Sequence, residues 1–482
     1  MNILLIKPPL NPNLLALNHD EPLELEYLAA AAVGHNVEIL DMRFDRNLDR
    51  ALARSRPDLV GVTAFTCDFN AAQAIFKEVR KFDRNIKTAV GGHHATVLPA
   101  DFAGPLVDVI FLGPADASFK EYVRLLAAGQ DVAAVKNIAL VTESGLVPTG
   151  RTPFEADLDL LPFPDRAATR RFHKHYRDSM KTRTGLVVTS RGCPYRCTFC
   201  ACWKIMDGRY LARSAESVVN EIASMPEGVE LICFADDNTL HSVPRAWRML
   251  QLIRERGIRK RYMMYARADT IVKNPDLMKA LKDAGLEYLL VGIESFEDEA
   301  LTALNKKVTA QMNMEAVRLL KKIGIRISPH IIIDPEFTRE DFRRLYRSVS
   351  ALELFRPVYT VLTPLPGTEL YEKNYGRLAI RNYDFFDFTH SVLPTTLDRK
   401  DFYREYAALY FKSYSFRRYF LRKLRVLAAW ARRGRSALPP DPDRIPFFQL
   451  ALLFIFAYPM YRKVRRRHKI EPLVPDYLKR PD

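Results

Sequence analysis

Short apolar runs alternate with longer amphipathic stretches along the start of the chain. Residues 3–6, 37–40, 59–63, 88–90 and 107–111 have the length and branched apolar character of buried strands. Around residues 24–32, 48–54, 71–82 and 118–127 the apolar positions recur with a helical period. This alternation predicts an α/β architecture, a doubly wound parallel sheet of Rossmann-like kind. Ligands of such sheets lie at the carboxyl ends of the strands. Those ends carry Lys7-Pro-Pro-Leu-Asn, Asp41-Met-Arg43, Thr63-Ala-Phe-Thr66-Cys67-Asp, Gly91-Gly92-His93-His94-Ala-Thr and Gly113-Pro-Ala-Asp116. No Gly-x-Gly-x-x-Gly follows the first run, which argues against a dinucleotide there.

Residues 136–182, punctuated by Pro148, Pro153, Pro162 and Pro164, read as a hairpin and then a connector. From 184 the alternation resumes, with strands expected at 185–189, 230–234, 261–265, 288–292, 326–333 and 358–362. Six strand–helix units predict a partial or full (β/α) barrel with its chemistry on the loops after the strands. Past residue 375 the alternation stops and a mainly helical region is expected. The organisation read from the pattern is therefore 1–135, 136–182, 183–375 and 376–482.

At 482 residues, 48% apolar and 27% charged, the chain can bury large cores and is neither disordered nor fibrous. Its formal charge of +16 normally points to nucleic acid or to an anionic membrane surface. Placement narrows the choice. Residues 412–469 hold sixteen Lys and Arg against Asp441 and Asp443, so nearly all the excess lies there. The start, Met1-Asn-Ile-Leu-Leu-Ile-Lys7, lacks the charged n-region and the apolar length of a signal peptide, so a cytoplasmic location is expected.

Three of the six cysteines crowd into Arg191-Gly-Cys193-Pro-Tyr-Arg-Cys197-Thr-Phe199-Cys200, directly after the first strand of the second series. Such crowding suggests a metal site rather than disulfides. Three thiolates can each hold one iron of a [4Fe-4S] cluster, leaving the fourth iron open to a chelating ligand. The competing reading is zinc, with Cys202 completing Cys₄, although a Cys200-x-Cys202 step is cramped for a tetrahedron.

This loop resembles the signature of the radical S-adenosylmethionine (SAM) enzymes, with Phe199 in its aromatic position. The resemblance spans roughly 184–375. It includes Phe234-Ala-Asp236-Asp-Asn, Tyr265-Ala-Arg267-Ala-Asp269, Gly292-Ile-Glu294-Ser295 and Pro364-Leu-Pro-Gly-Thr-Glu-Leu-Tyr371. It implies that Cys193, Cys197 and Cys200 ligate the cluster and that Phe199, Asp236, Arg267, Glu294 and Ser295 contact SAM. Ile333-Asp-Pro-Glu departs from the Gly-rich segment usual at that strand end.

A doubly wound domain ahead of such a barrel is similar to the cobalamin-binding radical SAM enzymes. The likeness extends to Pro22-Leu-Glu-Leu-Glu-Tyr-Leu-Ala and to the Gly91 and Gly113 loops, although Gly113-Pro-Ala-Asp116 replaces the usual G-E-G-E. It implies a corrinoid site using Thr63, Thr66, Gly91, Gly92, His93 and Gly113. Methylthiotransferases would need three further N-terminal cysteines, and this domain has Cys67 alone. The D-x-H-x-x-G motif that supplies a cobalt ligand in many corrinoid enzymes is absent, its nearest counterpart placing Arg43 where His would be. His93 and His94 are then the nearest imidazoles, and histidines beside a Gly-Gly turn more often make hydrogen bonds than bind metal.

The resemblance implies a [4Fe-4S] cluster, SAM and methylcobalamin, hydrogen abstraction from an unactivated carbon, and methyl transfer, with no catalytic side chain beyond the cluster ligands and an unidentified electron donor. Oxidative cyclisation or ring rearrangement without methyl transfer, as on a tetrapyrrole, is the alternative. Residues 445–461 carry no charge and are flanked by basic residues. Seventeen residues at about 1.5 Å each fall short of a ~30 Å hydrocarbon core, which suits peripheral seating on the inner membrane face better than spanning. A buried helix packed on the barrel is the plainer alternative, and the absence of any RNA-binding module speaks against nucleic acid. A small hydrophobic or lipid substrate, of hopanoid type, and an anionic membrane surface follow as expected partners.

Overall fold

The computed structural model describes residues 1–13, 19–155, 157–178, 181–354 and 356–414, together with Arg462, Val464 and Arg465. The chain divides into two compact units. The first comprises Met1–Asp237, Pro364–Lys373 and Tyr383–Asp387, and the second Asn238–Thr363, Asn374–Asn382 and Phe388–Asp482.

The first unit is built on a seven-stranded sheet. Its strands are β1 (Asn2–Lys7), β2 (Asn36–Asp41), β3 (Leu59–Thr63), β4 (Lys87–Gly91), β5 (Val109–Phe111), β6 (Ile138–Thr142) and β7 (Gly145–Pro148), in the order β2-β1-β3-β4-β5-β6-β7. The first five are parallel, and the two remaining pairings are antiparallel. The hairpin expected after residue 135 thus extends the sheet. Strand β5 is shorter than the apolar run suggested, because Val107 N–H turns back to the Gly104 carbonyl at 3.3 Å.

Helices α1 (Leu23–Ala31), α2 (Leu48–Ser55), α3 (Phe69–Phe82), α4 (His93–Val97) and α5 (Asp116–Ala127) connect the strands. Ile3, Leu5, Ile39, Leu59 and Val109 pack with Leu25, Phe119, Tyr122 and Val123 as one core. The strand order reverses direction between β1 and β3, and at such a switch the carboxyl ends leave a crevice.

The same unit contains β8 (Thr184–Val187), β9 (Ser190–Arg191), β10 (Leu211–Ala212) and β11 (Leu231–Phe234), with helices α6 (Cys202–Ile205) and α7 (Ala215–Ala223). β8 and β11 are parallel, Leu186 opposite Cys233. β9 and β10 form a short antiparallel ladder that pins the base of the loop 192–210. The cysteine triplet is therefore carried on a closed loop.

The second unit contributes β12 (Arg261–Ala266), β13 (Leu286–Glu294), β14 (Arg326–Ile333) and β15 (Val358–Val361), all parallel and adjacent in order. On one face Leu289, Val291, Ile293, Ile331 and Ile333 are fully buried. Gly292 and His330, side by side across β13 and β14, belong to the opposite face. Among the described residues the second series has six strands, two fewer than a closed (β/α)₈ barrel, so the partial form is the one present.

The helix Arg399–Ser413 begins the C-terminal region. The basic stretch 412–469 and the apolar run 445–461 lie almost wholly outside the described residues. Among the described residues no helix is long and apolar enough to cross a membrane.

Candidate functional site

The loop 192–210 is positioned by carboxylates from the end of β11. Asp236 is 4% exposed, and both its oxygens are engaged. Oδ1 accepts Thr189 N–H at 2.6 Å and Ser190 N–H at 2.9 Å, while Oδ2 accepts the Thr189 hydroxyl at 2.6 Å. Asp237 Oδ2 accepts the Gly192 N–H at 2.9 Å. Gly192 has φ 80°, and a Cβ there would run into the Arg209 carbonyl and the Met206 side chain, so glycine is required before Cys193. Within the loop Cys200 N–H bonds the Cys197 carbonyl, and the Trp203 indole N–H donates to the same oxygen, each at 3.2 Å.

The three thiols share one neighbourhood. Burial pushes the Cys193 thiol up, and the charges of Cys200, Asp237 and Cys197 add to that. Cys202 lies against Cys200 and Asp237 and is displaced in the same direction. Phe199 is half-buried in the same loop.

A cavity of about 420 Å³ opens at the carboxyl ends of the first sheet. Thr63, Gly91, Gly92, His93 and Gly113, all expected at a ligand, line it. Thr66 does not, being 8% exposed with its hydroxyl beside His94 Nδ1. Glu24, Tyr27 and Leu28 of α1 form another wall, and Arg191, Gly192, Cys202, Ile205, Met206 and Asp237 a further one. The strand-end loops and the cysteine loop thus border one space. Arg191 and Asp116 tie them together through paired bonds of 2.5 and 3.0 Å. Burial would raise the Asp116 carboxyl, but the Arg191 charge and hydrogen bonds outweigh it and hold the group below its ordinary range. Asp116 was legible as the acid left in an altered motif, whereas nothing in the sequence paired it with Arg191.

The adjacent histidines differ sharply. His94 is fully buried, its Nε2 3.1 Å from Asp101 Oδ2 and its Nδ1 3.3 Å from the Thr66 hydroxyl. Asp101 also accepts the Tyr383 hydroxyl at 2.7 Å. His93 instead presents its surface to the cavity and stacks on Phe65, centroids 4.8 Å apart and planes 18° apart. Enclosure lowers its basicity, partly opposed by Asp237 and Glu24, so the ring is neutral at neutral pH. Arg43, on the loop after β2, is held by both oxygens of Asp41 and does not line the cavity.

In the second unit Arg267 is 6% exposed, donating from Nε to Asp269 at 3.0 Å and from Nη2 to the Lys306 carbonyl at 2.7 Å. Glu294 ends β13 with φ 57°, and its Oε1 accepts Lys306 Nζ at 2.6 Å. That ion pair lies directly over Gly292, where a Cβ would come 2.5 Å from Glu294 Oε1 and 2.7 Å from Lys306 Nζ. This accounts for the glycine of Gly292-Ile-Glu294-Ser295. Ser295 Oγ accepts the Glu297 N–H at 3.1 Å, and Asn313 fixes the turn through the Ile293 and Ser295 carbonyls. His330 was not anticipated. Burial pushes it down to about 4, with Glu294 and Lys306 as its charged neighbours.

Comparison with known proteins agrees with these two regions. The family model described as "B12 binding domain" matches residues 19–123, and that of the "Radical SAM superfamily" matches 187–349. The hopanoid C-3 methylase of Methylococcus capsulatus is 28% identical over 398 residues, 80% of this chain and 75% of that protein. The anaerobic magnesium-protoporphyrin IX monomethyl ester cyclase of Cereibacter sphaeroides is 25% identical over 364 residues, 73% of this chain and 59% of that protein. A solved structure of TsrM from Kitasatospora setae, a radical SAM methyltransferase with cobalamin and a [4Fe-4S] cluster bound, shares the fold. Its TM-score is 0.64 at 22% identity, covering 79% of each chain.

Proposed function

We propose that this chain, a cobalamin-binding radical SAM enzyme, adds a methyl group to an unactivated carbon of a hydrophobic, lipid-like substrate. The observation that carries the reading is the single cavity bordered by both the strand-end loops and the cysteine loop. Transfer of a methyl group to a carbon radical needs the methyl carrier next to the site where the radical is made.

The residues suit the groups they would hold. Three mutually crowded thiols on a pinned loop offer one sulfur to each of three irons. Cys193, Cys197 and Cys200 are the ligands in this reading. The cavity is walled by Gly61, Ala64, Ala89 and Gly91, whose small side chains leave room at the strand ends for a broad ligand. Thr63, Gly91, Gly92, His93 and Gly113 would meet a corrinoid there, and Phe199 and Asp236 of the first unit and Arg267, Glu294 and Ser295 of the second are the residues that would contact SAM. When bound, these cofactors supply hydrogen abstraction and a transferable methyl group.

The chain's own residues position and shield. Asp236 and Asp237 anchor the approach to Cys193, the Arg191–Asp116 pair joins the loop to the first sheet, and the apolar cavity walls keep water away. Residues 1–135 are the corrinoid domain in this reading, 136–182 the connector, 183–375 the cluster and SAM domain, and 376–482 the region that seats the enzyme. The likeness to the hopanoid methylase and the basic segment around an apolar run support a lipid substrate met at an anionic inner membrane face, with a separate electron donor.

Anaerobic turnover of the iron–sulfur-reconstituted, cobalamin-loaded protein with methyl-deuterated SAM, a low-potential reductant and a bacterial lipid extract tests the proposal. Deuterated methyl in a lipid together with 5′-deoxyadenosine is the expected result. Deoxyadenosine without label in any lipid would reject lipid methylation and favour the cyclase-like reading.

A further inference from the structure

We propose that His93 supplies the lower axial ligand of the corrinoid's cobalt. The inference rests on the corrinoid reading above. It begins from the unequal fates of two adjacent histidines. His94 has committed both ring nitrogens, to Asp101 and Thr66, and has no exposed surface. His93 has no hydrogen-bond partner among the described residues, and its open surface faces the cavity.

Its orientation is already set. Phe65, from the loop after β3, covers one face of the His93 ring, and Lys7 Nζ lies 5.2 Å from the Phe65 centroid. Residues from the ends of β1, β3 and β4 are thereby layered beside the strand-order switch, where ligands of such sheets sit. The lone pair of an imidazole lies in the ring plane, so stacking on a face leaves the nitrogens free to bind.

The carboxylates that line the cavity are occupied. Glu24 is paired with Lys7 at 2.7 Å, Asp116 with Arg191, and Asp237 with the Gly192 N–H. His93 is the sole imidazole among the lining residues, and imidazole is the commonest protein ligand for a transition metal. Arg43, on the loop where a cobalt-ligating histidine was sought, is tied back to Asp41.

The test is electron paramagnetic resonance of the full-length protein loaded with cob(II)alamin. Protein grown with ¹⁵N-histidine should split each cobalt line into a doublet, and unlabelled protein into a triplet. His93→Phe, which keeps a ring on Phe65, should retain less cob(II)alamin than the wild type, and the fraction it retains should show unsplit cobalt lines. A triplet that survives labelling means that the corrinoid's own benzimidazole is the ligand, and overturns the proposal. Unsplit lines in the wild type, or a doublet that persists in His93→Phe, overturn it equally. Failure of the wild type to retain cob(II)alamin would reject the corrinoid reading itself, a result distinguishable from all of these.

Discussion

Asp236 illustrates how a residue in a recognisable motif can act through another. Its carboxylate accepts three hydrogen bonds from Thr189 and Ser190, two of them from backbone N–H groups. Asp236→Ala leaves those buried donors unpaired, at a cost of about 3 kcal/mol. Urea unfolding should register that loss, and the reconstituted variant should hold less iron per chain. Asp236→Asn, which keeps an acceptor, should recover most of both. His330 permits a second check. A histidine that ionises near pH 4 when folded and near 6.5 when unfolded binds fewer protons in the native state between those values. Stability therefore falls as pH drops through that window. Relative to His330→Gln, the wild type should lose about 1–2 kcal/mol more between pH 7 and pH 5, measured by urea unfolding at each pH.

At the scale of elements, buried polar contacts decide how the layers close. In the first unit Arg166 donates to the Leu186 carbonyl at 2.6 Å and to Glu221 at 2.7 Å, while Glu21 accepts Leu186 N–H at 2.6 Å. One guanidinium thus links the approach to α1, the connector, β8 and α7. In the second unit the outer edge of β15 is covered by tyrosines. The Tyr359 carbonyl accepts hydroxyls from Tyr406 at 2.8 Å and Tyr410 at 2.6 Å, and Tyr359 N–H donates to Tyr410 at 3.2 Å. An uncovered strand edge would invite pairing with other chains. Tyr410→Phe should destabilise by about 1–3 kcal/mol, because Tyr359 N–H loses its acceptor. A lowered urea midpoint at unchanged slope would show that the loss is confined to stability. Periodicity located these elements to within a few residues, as with 71–82 against Phe69–Phe82 and 326–333 against Arg326–Ile333. It could not show which carbonyl a tyrosine hydroxyl would find.

At the scale of the molecule, the excess charge is separate in sequence from the strand-end loops and the cysteine loop. Residues 412–469 carry nearly all of it, on both sides in sequence of the uncharged run 445–461. If that segment addresses the enzyme to its substrate, replacing 445–461 by a polar linker should abolish co-sedimentation with anionic vesicles and leave iron and cobalamin content unchanged. Binding by the wild type should weaken with added salt, since the Debye length falls from about 10 Å at 0.1 M to about 3 Å at 1 M. Unchanged vesicle binding by the linker variant would instead favour a helix packed on the protein.

The sequence by itself determined the two series of strands and helices and the loop with three thiols. Apolar period and ligand spacing are local properties, and neighbouring residues express them together. The tertiary structure alone decided that Asp236 holds a turn and that Asp116 meets Arg191, 75 residues away. It also decided that His94 is consumed while His93 faces the cavity. Those outcomes depend on which groups from distant elements come within about 3 Å, and a hydrogen bond committed to one partner is unavailable to a ligand.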